Sequence, residues 1–293
     1  MPRIYLSPST QDWNPYVDGS GSEEYWMNLL ADTLEPYLYA NTISFVRNTP
    51  EMTAASSIAQ ANSLGGFDFY GISIKEVFSD IIVEAPLGSR TKLTLPDGTL
   101  VWLNAGSRIT YSQGFGVGNR KIELIGEGYF EVKRNEEVPF LVKTNSLLVK
   151  VLGTKFNFRD YPDDAEAIVS LSEGKVALNN LLKKEKEAFL LPNERVVLNK
   201  KNGRMHVEYS TVSNALQWTN GYLFFDEELL PDVVKELERS YNVKIQIASD
   251  TLNTFRFYGN FVHREQNIQE VLEALSATRK IHYIIEGHNI TLY

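Results

Sequence analysis

The sequence of 293 residues contains no cysteine. This absence excludes disulfide bonds, thiol nucleophiles and thiolate metal sites, and it leaves the redox compartment open. Basic residues are also in the minority, since 29 lysines and arginines stand against 37 acids and give a formal net charge of -8. Such a chain lacks the basic surface of a protein that binds nucleic acid or anionic lipid. We therefore expect a protein partner or a neutral ligand.

Long hydrophobic runs are missing as well. No stretch approaches the roughly 18 to 20 apolar residues that a membrane-spanning helix needs. The first residues, Met1-Pro2-Arg3, are soon followed by serine, threonine and asparagine, without the apolar core of a secretory signal. We therefore expect neither a signal peptide nor a transmembrane helix in this chain.

The composition indicates a folded protein, because 43% of the residues are hydrophobic and 23% are charged. The length of 293 residues predicts two or three domains. Residues 1–66 predict a β-α-β beginning, with strands at 4–6 and 43–46 and a helix over 22–39. A further helix is predicted over 54–61. The run Ser63-Leu64-Gly65-Gly66 then interrupts the pattern, so residues 67–80 are interpreted as a linker or junction.

Residues 81–210 change to a period of two, which predicts an all-β, sandwich-like domain. Turn residues separate its strands, among them Pro96-Asp97-Gly98 and Lys201-Asn202-Gly203. The clearest predicted strands are 90–95, 100–104, 120–125, 129–133, 147–152, 168–171, 175–178 and 195–198.

Residues 211–293 predict a small α+β domain built from a doubled strand-helix-strand unit. Amphipathic helices are predicted over 229–241 and 268–278, on one face of a small sheet. Asn267 and Glu270 have the spacing of a capping box at the start of the second helix. The predicted fold class is therefore mainly β with α+β, preceded by a truncated β-α-β fragment. Its strands are predicted at 222–225, 243–247, 255–261, 281–285 and 290–292.

Several motifs of the last two regions occur together in order. The stretch 88–107 reads GSRTKLTLPDGTLVWLNAGS and resembles the signature of FecR-type regulators, the membrane-bound partners of extracytoplasmic-function sigma factors. Any one of the motifs is weak evidence, whereas their order and spacing over about 81–293 are specific. The further matches are EGYFEV at 127–132, VKVLGTKFN at 149–157, EGKV at 173–176, LPNE at 191–194, WTNG at 218–221, LERSYNVKI at 237–245 and VLEAL at 271–275.

This resemblance implies a regulator in the periplasm that contacts the signalling domain of a TonB-dependent outer-membrane transporter and controls a sigma factor. The C-terminal region looks like that of Bacteroidetes members, whose systems govern the uptake of glycans or iron complexes. Family members are anchored in the inner membrane and reach the sigma factor through a cytoplasmic segment that we expect to be missing from this chain. The resemblance implies no catalysis and no cofactor.

Residues 1–66 resemble the opening of a zinc-dependent N-acetylmuramoyl-L-alanine amidase, through RIYLSPSTQ at 3–11, GSEEYWMNL at 21–29 and MTAASSI at 52–58. Glu24 stands where that family has a zinc-ligand glutamate. Zinc hydrolysis needs about three protein ligands and a base, and this segment contains no histidine. We interpret it as a truncated fragment without activity, and a zinc amidase acting on peptidoglycan is the alternative function.

The candidate docking site is the strand over 255–262, since the family's C-terminal region implies a sheet edge that a partner could extend. Phe255, Phe257 and Phe261 would share one face, with Arg256 and Tyr258 on the other. An interior strand is an equally good interpretation. The remaining motif positions are interpreted as structural: Leu95, Pro96, Asp97, Gly98, Trp102, Leu103, Asn104, Gly106, Ser107, Gly153, Trp218 and Gly221.

Two further sequence features suggest a metal site and a glycan-binding function. His282, Glu286 and His288 bracket a hairpin, but lone histidines on an exposed strand more often bind nothing, so no metal site is predicted. Exposed aromatic residues of the all-β domain leave a glycan-binding module as a third possible function.

Overall fold

The structure is a computed structural model that describes residues 3–6, 44–47, 80–112, 114–116, 119–209, 216–263, 265–277 and 281–293. The chain divides into two compact units, Met1–Val77 and Phe78–Tyr293. In the first unit, strands β1 (Arg3–Leu6) and β2 (Ser44–Arg47) pair in parallel. Parallel pairing agrees with the β-α-β beginning. The helices predicted over 22–39 and 54–61 lie outside the described residues, as does the predicted junction up to 79.

The second unit begins with the β lobe, residues 80–209, whose strands belong to one 13-stranded sheet. Alternating apolar side chains point into a shared core, as the period of two predicts. The strands are β3 (Asp80–Ala85), β4 (Thr91–Thr94), β5 (Leu100–Leu103), β6 (Ser107–Ser112), β7 (Arg120–Glu131), β8 (Phe140–Lys143), β9 (Leu147–Val151), β10 (Lys155–Asp160), β11 (Glu166–Glu173), β12 (Val176–Asn180), β13 (Ala188–Leu190), β14 (Glu194–Asn199) and β15 (Met205–Tyr209).

Strand β7 joins the two halves of this sheet. Its first half pairs with β6 and β8, and its second half pairs with β5 and β10. Gly126 has a φ of 96°, a left-handed value that bends the strand at this point. The prediction of two separate strands over 120–125 and 129–133 is therefore wrong. The glycine marks a bend within one strand instead of a break between two.

The core of the β lobe is rich in aromatic side chains. The side chains of Phe130, Phe140, Phe156 and Phe158 are fully buried. Phe130 and Phe156 stack with ring centroids 5.1 Å apart. Removing each such side chain from water stabilises the fold by roughly 1.5 to 3 kcal/mol.

The C-terminal lobe, residues 216–293, contains two helices and two small sheets. Strands β16 and β18 form an antiparallel pair, whereas β20 pairs in parallel with β17 and antiparallel with β19. The prediction of a single small sheet is wrong, although both sheets and both helices share one apolar core. The elements are a 3₁₀ helix (Gln217–Asn220), β16 (Tyr222–Leu229), α1 (Leu230–Tyr241), β17 (Lys244–Ile247), a 3₁₀ helix (Asp250–Thr254), β18 (Arg256–Val262), α2 (Ile268–Ser276), β19 (Tyr283–Glu286) and β20 (Asn289–Leu292).

Local sequence signals define both helices. Helix α1 buries Leu230, Val233 and Leu237 along one face, and it ends at Asn242, whose left-handed φ of 53° stops the helix. Helix α2 begins with the predicted capping box. The side chain of Asn267 accepts from the amide of Glu270 at 3.1 Å, and the Glu270 carboxylate accepts from the Asn267 amide at 2.8 Å.

Candidate functional site: the lobe junction and the β16–β18 surface

Distant sequence motifs meet where the β lobe contacts the C-terminal lobe. The buried carboxylate of Glu127, in β7, accepts hydrogen bonds from Nδ2 of Asn104 at 2.9 Å and from Nδ2 of Asn157 at 2.8 Å. Asn157 also accepts from Nε1 of Trp218 at 3.1 Å. Four of the motifs found in the sequence therefore contribute to one hydrogen-bond network, and Trp218 connects that network to the C-terminal lobe.

Ion pairs reinforce the same junction. Arg159 in β10 donates to Glu236 in α1 at 3.2 Å and to Asp164 of the β lobe at 2.8 Å. Arg239, one turn further along α1, contacts Asp164 at 3.1 Å and Glu236 at 3.3 Å. The side chains of Glu236, Arg239 and Asp164 are 8 to 10% exposed. These bonds therefore hold the two lobes together as a single body.

Aromatic stacking completes the contact. The guanidinium of Arg239 lies 3.9 Å from the ring centroid of Tyr161. The hydroxyl of Tyr161 donates to the carbonyl of Ala105 at 2.8 Å and lies 3.1 Å from Oγ of Ser107. Burial raises the pKa of Tyr161 well above its usual value. Tyr161 is therefore a neutral hydrogen-bond donor, and its ring packs against the guanidinium of Arg239.

The pKa values of the carboxylates in the junction shift in opposite directions. Burial raises the pKa of Glu127, although Arg159 and the two asparagine donors oppose this effect. Burial also acts to raise the pKa of Glu236, but Arg159 and Arg239 outweigh it and leave that pKa below its usual value. The same two arginines lower the pKa of Asp164 in the same way. Glu127 is therefore the carboxylate that depends most on its neighbours to stay ionised.

Most of the motif positions interpreted as structural lie in turns or in buried contacts. Leu95 is buried, and Gly98 has a left-handed φ of 84°. Asp97 accepts from Nε of Arg120 at 2.8 Å, which joins the turn after β4 to β7. A Cβ on Gly153 would lie 2.8 Å from Cα of Arg134, so only glycine fits there without a shift. Pro96 and Gly98 are the exposed members of the first turn.

The other motif positions surround the junction. Nζ of Lys92 lies 4.5 Å from the ring centroid of Trp102. Leu103 is fully buried in the core. Gly106 comes close to Leu87, since a Cβ there would lie 3.0 Å from its Cδ2. Gly221, with a φ of 90°, ends the 3₁₀ helix that carries Trp218.

The candidate docking strand is β18, and its only strand partner within the described residues is β16. Phe257 is buried, while Phe255 and Phe261 are half-buried against the core of the C-terminal lobe. Arg256 is exposed on the opposite face, and the side chain of Tyr258 is 74% exposed. The two faces thus separate as the alternation predicts.

The outward face of this two-stranded sheet is aromatic. Tyr222 is exposed, and the rings of Phe224 and Tyr258 meet edge to face with centroids 6.2 Å apart. Asp226 and Glu228 follow on β16 and are exposed. This set, the β16–β18 surface, is an apolar face with an acidic border.

Two clefts flank the junction. One of 430 Å³ lies between the β lobe and the edge of β16, and its lining includes Arg195, Tyr209, Tyr222 and Phe224. The other, of 380 Å³, is lined by Lys92, Trp102, Trp218 and His263 among others. In the described part of the chain, no three histidine or acidic side chains are grouped closely enough to hold a metal ion. The same residues contain no helix long and apolar enough to cross a membrane.

Sequence reasoning missed the charged half of the junction. Arg159, Asp164 and Glu236 were not among the candidate residues. Only the spacing of Glu236 and Arg239 on an amphipathic helix hinted at a pair, since residues three apart lie on one helix face. No local pattern shows that a charged residue of a strand will meet a helix 77 residues later.

Comparison with known proteins agrees with the motif evidence. The FecR protein family matches residues 82–177, and the FecR C-terminal family matches residues 222–292. Two solved structures of a provisionally assigned anti-sigma factor from Parabacteroides distasonis ATCC 8503, at 1.65 and 2.50 Å resolution, resemble the chain. Each is 33% identical with a TM-score of 0.67, over 73% of this chain and 98% or 99% of the other. No curated protein matches the chain. The ordered motifs, the lobes they form and these matches together mean that the chain belongs to the FecR family of anti-sigma factors.

Proposed function

We propose that the chain is the periplasmic sensing part of an anti-sigma regulator, and that it binds the signalling domain of a TonB-dependent outer-membrane transporter. Through this contact the regulator controls an extracytoplasmic-function sigma factor. The domain that we delimit as 81–210, which corresponds to the β lobe, is a rigid support, and the domain 211–293, which contains the C-terminal lobe, is the docking element. The sigma factor is contacted by another segment of the regulator, on the cytoplasmic side of the inner membrane.

The observation that carries this proposal is the β16–β18 surface. A sheet of two strands needs apolar packing to be stable, and the core of the C-terminal lobe supplies this packing on one face. Its inward face is packed against the core, whereas its outward face exposes Tyr222 and Tyr258 and carries the half-buried Phe224 between them. Tyrosine is enriched among residues that dominate binding energies, because its large ring is buried at little entropic cost. This surface is therefore suited to a protein partner.

The partner can also extend the sheet. In the described residues, neither β16 nor β18 pairs with another strand beyond its companion. The amide of Val262 near the end of β18 is already bonded by Oε1 of Gln266 at 2.8 Å. Added backbone hydrogen bonds would therefore form over 256–260, where Arg256 and Tyr258 flank the incoming strand.

The test is direct binding of the purified chain to the signalling domain encoded beside it, measured by calorimetry at low salt. We expect saturable binding, weakened about tenfold or more by Tyr258→Ser, equivalent to about 1.4 kcal/mol. Tyr293→Ser is the matched control, since Tyr293 is exposed in the same lobe but follows β20 of the other sheet.

The two failures are distinct. No binding by the unmodified chain would overturn the proposed function. Binding that Tyr258→Ser leaves unchanged would retain the function and reject the β16–β18 surface as its site.

A further inference from the structure

A second exposed apolar surface lies on the β lobe, on strands β9, β12 and β13. Lys150 of β9, Ala177 of β12 and Phe189 of β13 stand in one row across three strands. Their neighbours along the same strands point inward, and Val149, Val176 and Leu190 are fully buried. Because side chains alternate along a strand, the row belongs to the outer face of the sheet.

This outer face is more apolar than a solvated face needs to be. The side chain of Phe189 is 51% exposed and that of Leu152 is 39% exposed. Leu191, just after β13, is 56% exposed. We define the Phe189 face as Lys150, Leu152, Lys175, Ala177 and Phe189. Contiguous exposed apolar side chains of this kind mark interaction sites more often than single ones do.

The Phe189 face is also concave. Ala177 is the smallest side chain in its row and forms a low floor between Lys150 and Phe189. Arg134 and Pro139 of the loop after β7 form one wall of a groove of 680 Å³. Gly153 and Gly174 keep the turns at its end close to the sheet, since a Cβ on Gly174 would lie 2.8 Å from Oγ1 of Thr154. Tight packing of glycine turns thus shapes the groove.

The charge of the groove is opposite to that of the whole chain. Lys150 and Lys175 are exposed on it, and neither forms an ion pair with a described residue. Nζ of Lys175 lies 4.7 Å from the ring centroid of Phe189, so the cation and the ring are neighbours in the groove. Glu136 on the rim is paired with Arg134, which leaves Glu187 as the other acid of the lining. A groove with two available cations in a chain of net charge -8 favours an acidic occupant.

We propose that the Phe189 face docks an acidic segment of another protein. Carboxylates of that segment bind Lys150 and Lys175, and one of its apolar side chains covers Phe189 and Leu152. A bound segment would lie across the sheet face instead of extending it, because β13 is only 3 residues long and offers little edge to pair with. This site is separate from the β16–β18 surface and does not depend on it.

The probe is a short fluorescent peptide in which glutamate alternates with leucine and phenylalanine, titrated with the full chain. A peptide with lysine in place of glutamate is its control. We expect the acidic peptide to bind at least tenfold more tightly than the basic one. The double variant Lys150→Glu and Lys175→Glu should remove this preference, while Lys201→Glu with Lys244→Glu, which makes the same charge change at exposed positions elsewhere, should keep it.

A Phe189→Ser variant checks the apolar contribution and is expected to weaken binding of the acidic peptide several-fold. Thermal unfolding of each variant establishes that it is folded. Equal affinity for the two peptides, or equal loss in both double variants, would overturn the proposal. Concentration-dependent self-association that the lysine variants abolish would overturn it too, because the occupant would then be a second copy of this chain.

Discussion

Arg159 of the β lobe donates through Nη1 to Oε2 of Glu236 in helix α1 at 3.2 Å, and this bond joins a cation of one lobe to an anion of the other. Both side chains are largely shielded from water, at 25% and 10% exposure. An ion pair in such a place contributes less through its own attraction than through the cost of breaking it, because the remaining charge would be buried alone. The junction is therefore sensitive to single substitutions.

Removing Glu236 should destabilise the second unit. We expect Glu236→Leu to lower the free energy of unfolding by about 3 to 5 kcal/mol, since Arg159 and Arg239 lose a buried partner. Combining it with Arg159→Leu should cost less than the sum of the two single changes, and urea unfolding of all four proteins measures the difference.

The exposed pair Lys155–Glu173, 2.8 Å apart, is the control for this cycle. We expect no resolvable coupling there, because solvent screens the two charges. Additive effects at both pairs would show that the junction does not depend on the ion pair.

Arg159→Met should change the pH dependence of stability through Glu127. Burial already raises the pKa of Glu127, and Arg159 is the cation that opposes this rise. A raised pKa in the folded state means that the folded protein holds the proton more tightly than the unfolded chain does. Its stability contribution is then complete below the unfolded pKa and is lost as pH rises through the folded pKa.

We therefore expect the variant to lose stability relative to the unmodified chain as pH rises from the folded-state pKa of Glu127 in the unmodified chain to the higher pKa that Glu127 has in the variant. Urea unfolding midpoints at each pH measure the difference, and subtraction removes the groups that Arg159 does not affect. Arg159 also lowers the pKa values of Glu236 and Asp164, so part of the difference belongs to them. Adding Glu127→Gln to both proteins isolates the contribution of Glu127 and should reduce the extra slope. An extra slope of unchanged size without Glu127 would assign the whole effect to Glu236 and Asp164.

Trp218→Phe tests the indole bond to Asn157. The ring would keep filling its site, but Oδ1 of Asn157 would lose its donor in a buried position. We expect a loss of about 1 to 3 kcal/mol in unfolding free energy, which is the cost of leaving a buried acceptor unsatisfied. Trp102→Phe is the comparison, since Trp102 is half-buried at the edge of the lobe, and a larger effect there would contradict the assignment.

Gly126→Ala separates a steric clash from backbone strain. A Cβ at this bend would lie 2.9 Å from Cα of Ser107, and the φ of 96° adds strain of about 1 to 2 kcal/mol for any other residue. Gly98→Ala meets the same kind of strain at a φ of 84° with no atom within 4 Å. We expect Gly126→Ala to unfold at clearly lower urea than Gly98→Ala. Equal midpoints would mean that β7 can shift to relieve the clash.

The sequence anticipated those features whose causes are local. The capping box of Asn267 and Glu270 and the helix ending at Asn242 follow from neighbouring residues alone. Strand β10 was missed because its alternation is hidden. Phe156 and Phe158 face the core, but Asn157 on the opposite face is buried as well, so both faces are covered at that point. A polar residue looks solvated in a sequence until its buried partners are known.

The sequence by itself determined the family, the two kinds of lobe and most of the strands and helices, because periodicity, turn chemistry and ordered motifs act over short distances. Only the tertiary structure decided which residues of the different motifs contact one another. Asn104 meets Glu127 after 23 residues and Glu236 after 132. Burying those carboxylates costs free energy unless their donors and cations converge on them, and that convergence depends on the packing of one lobe against the other.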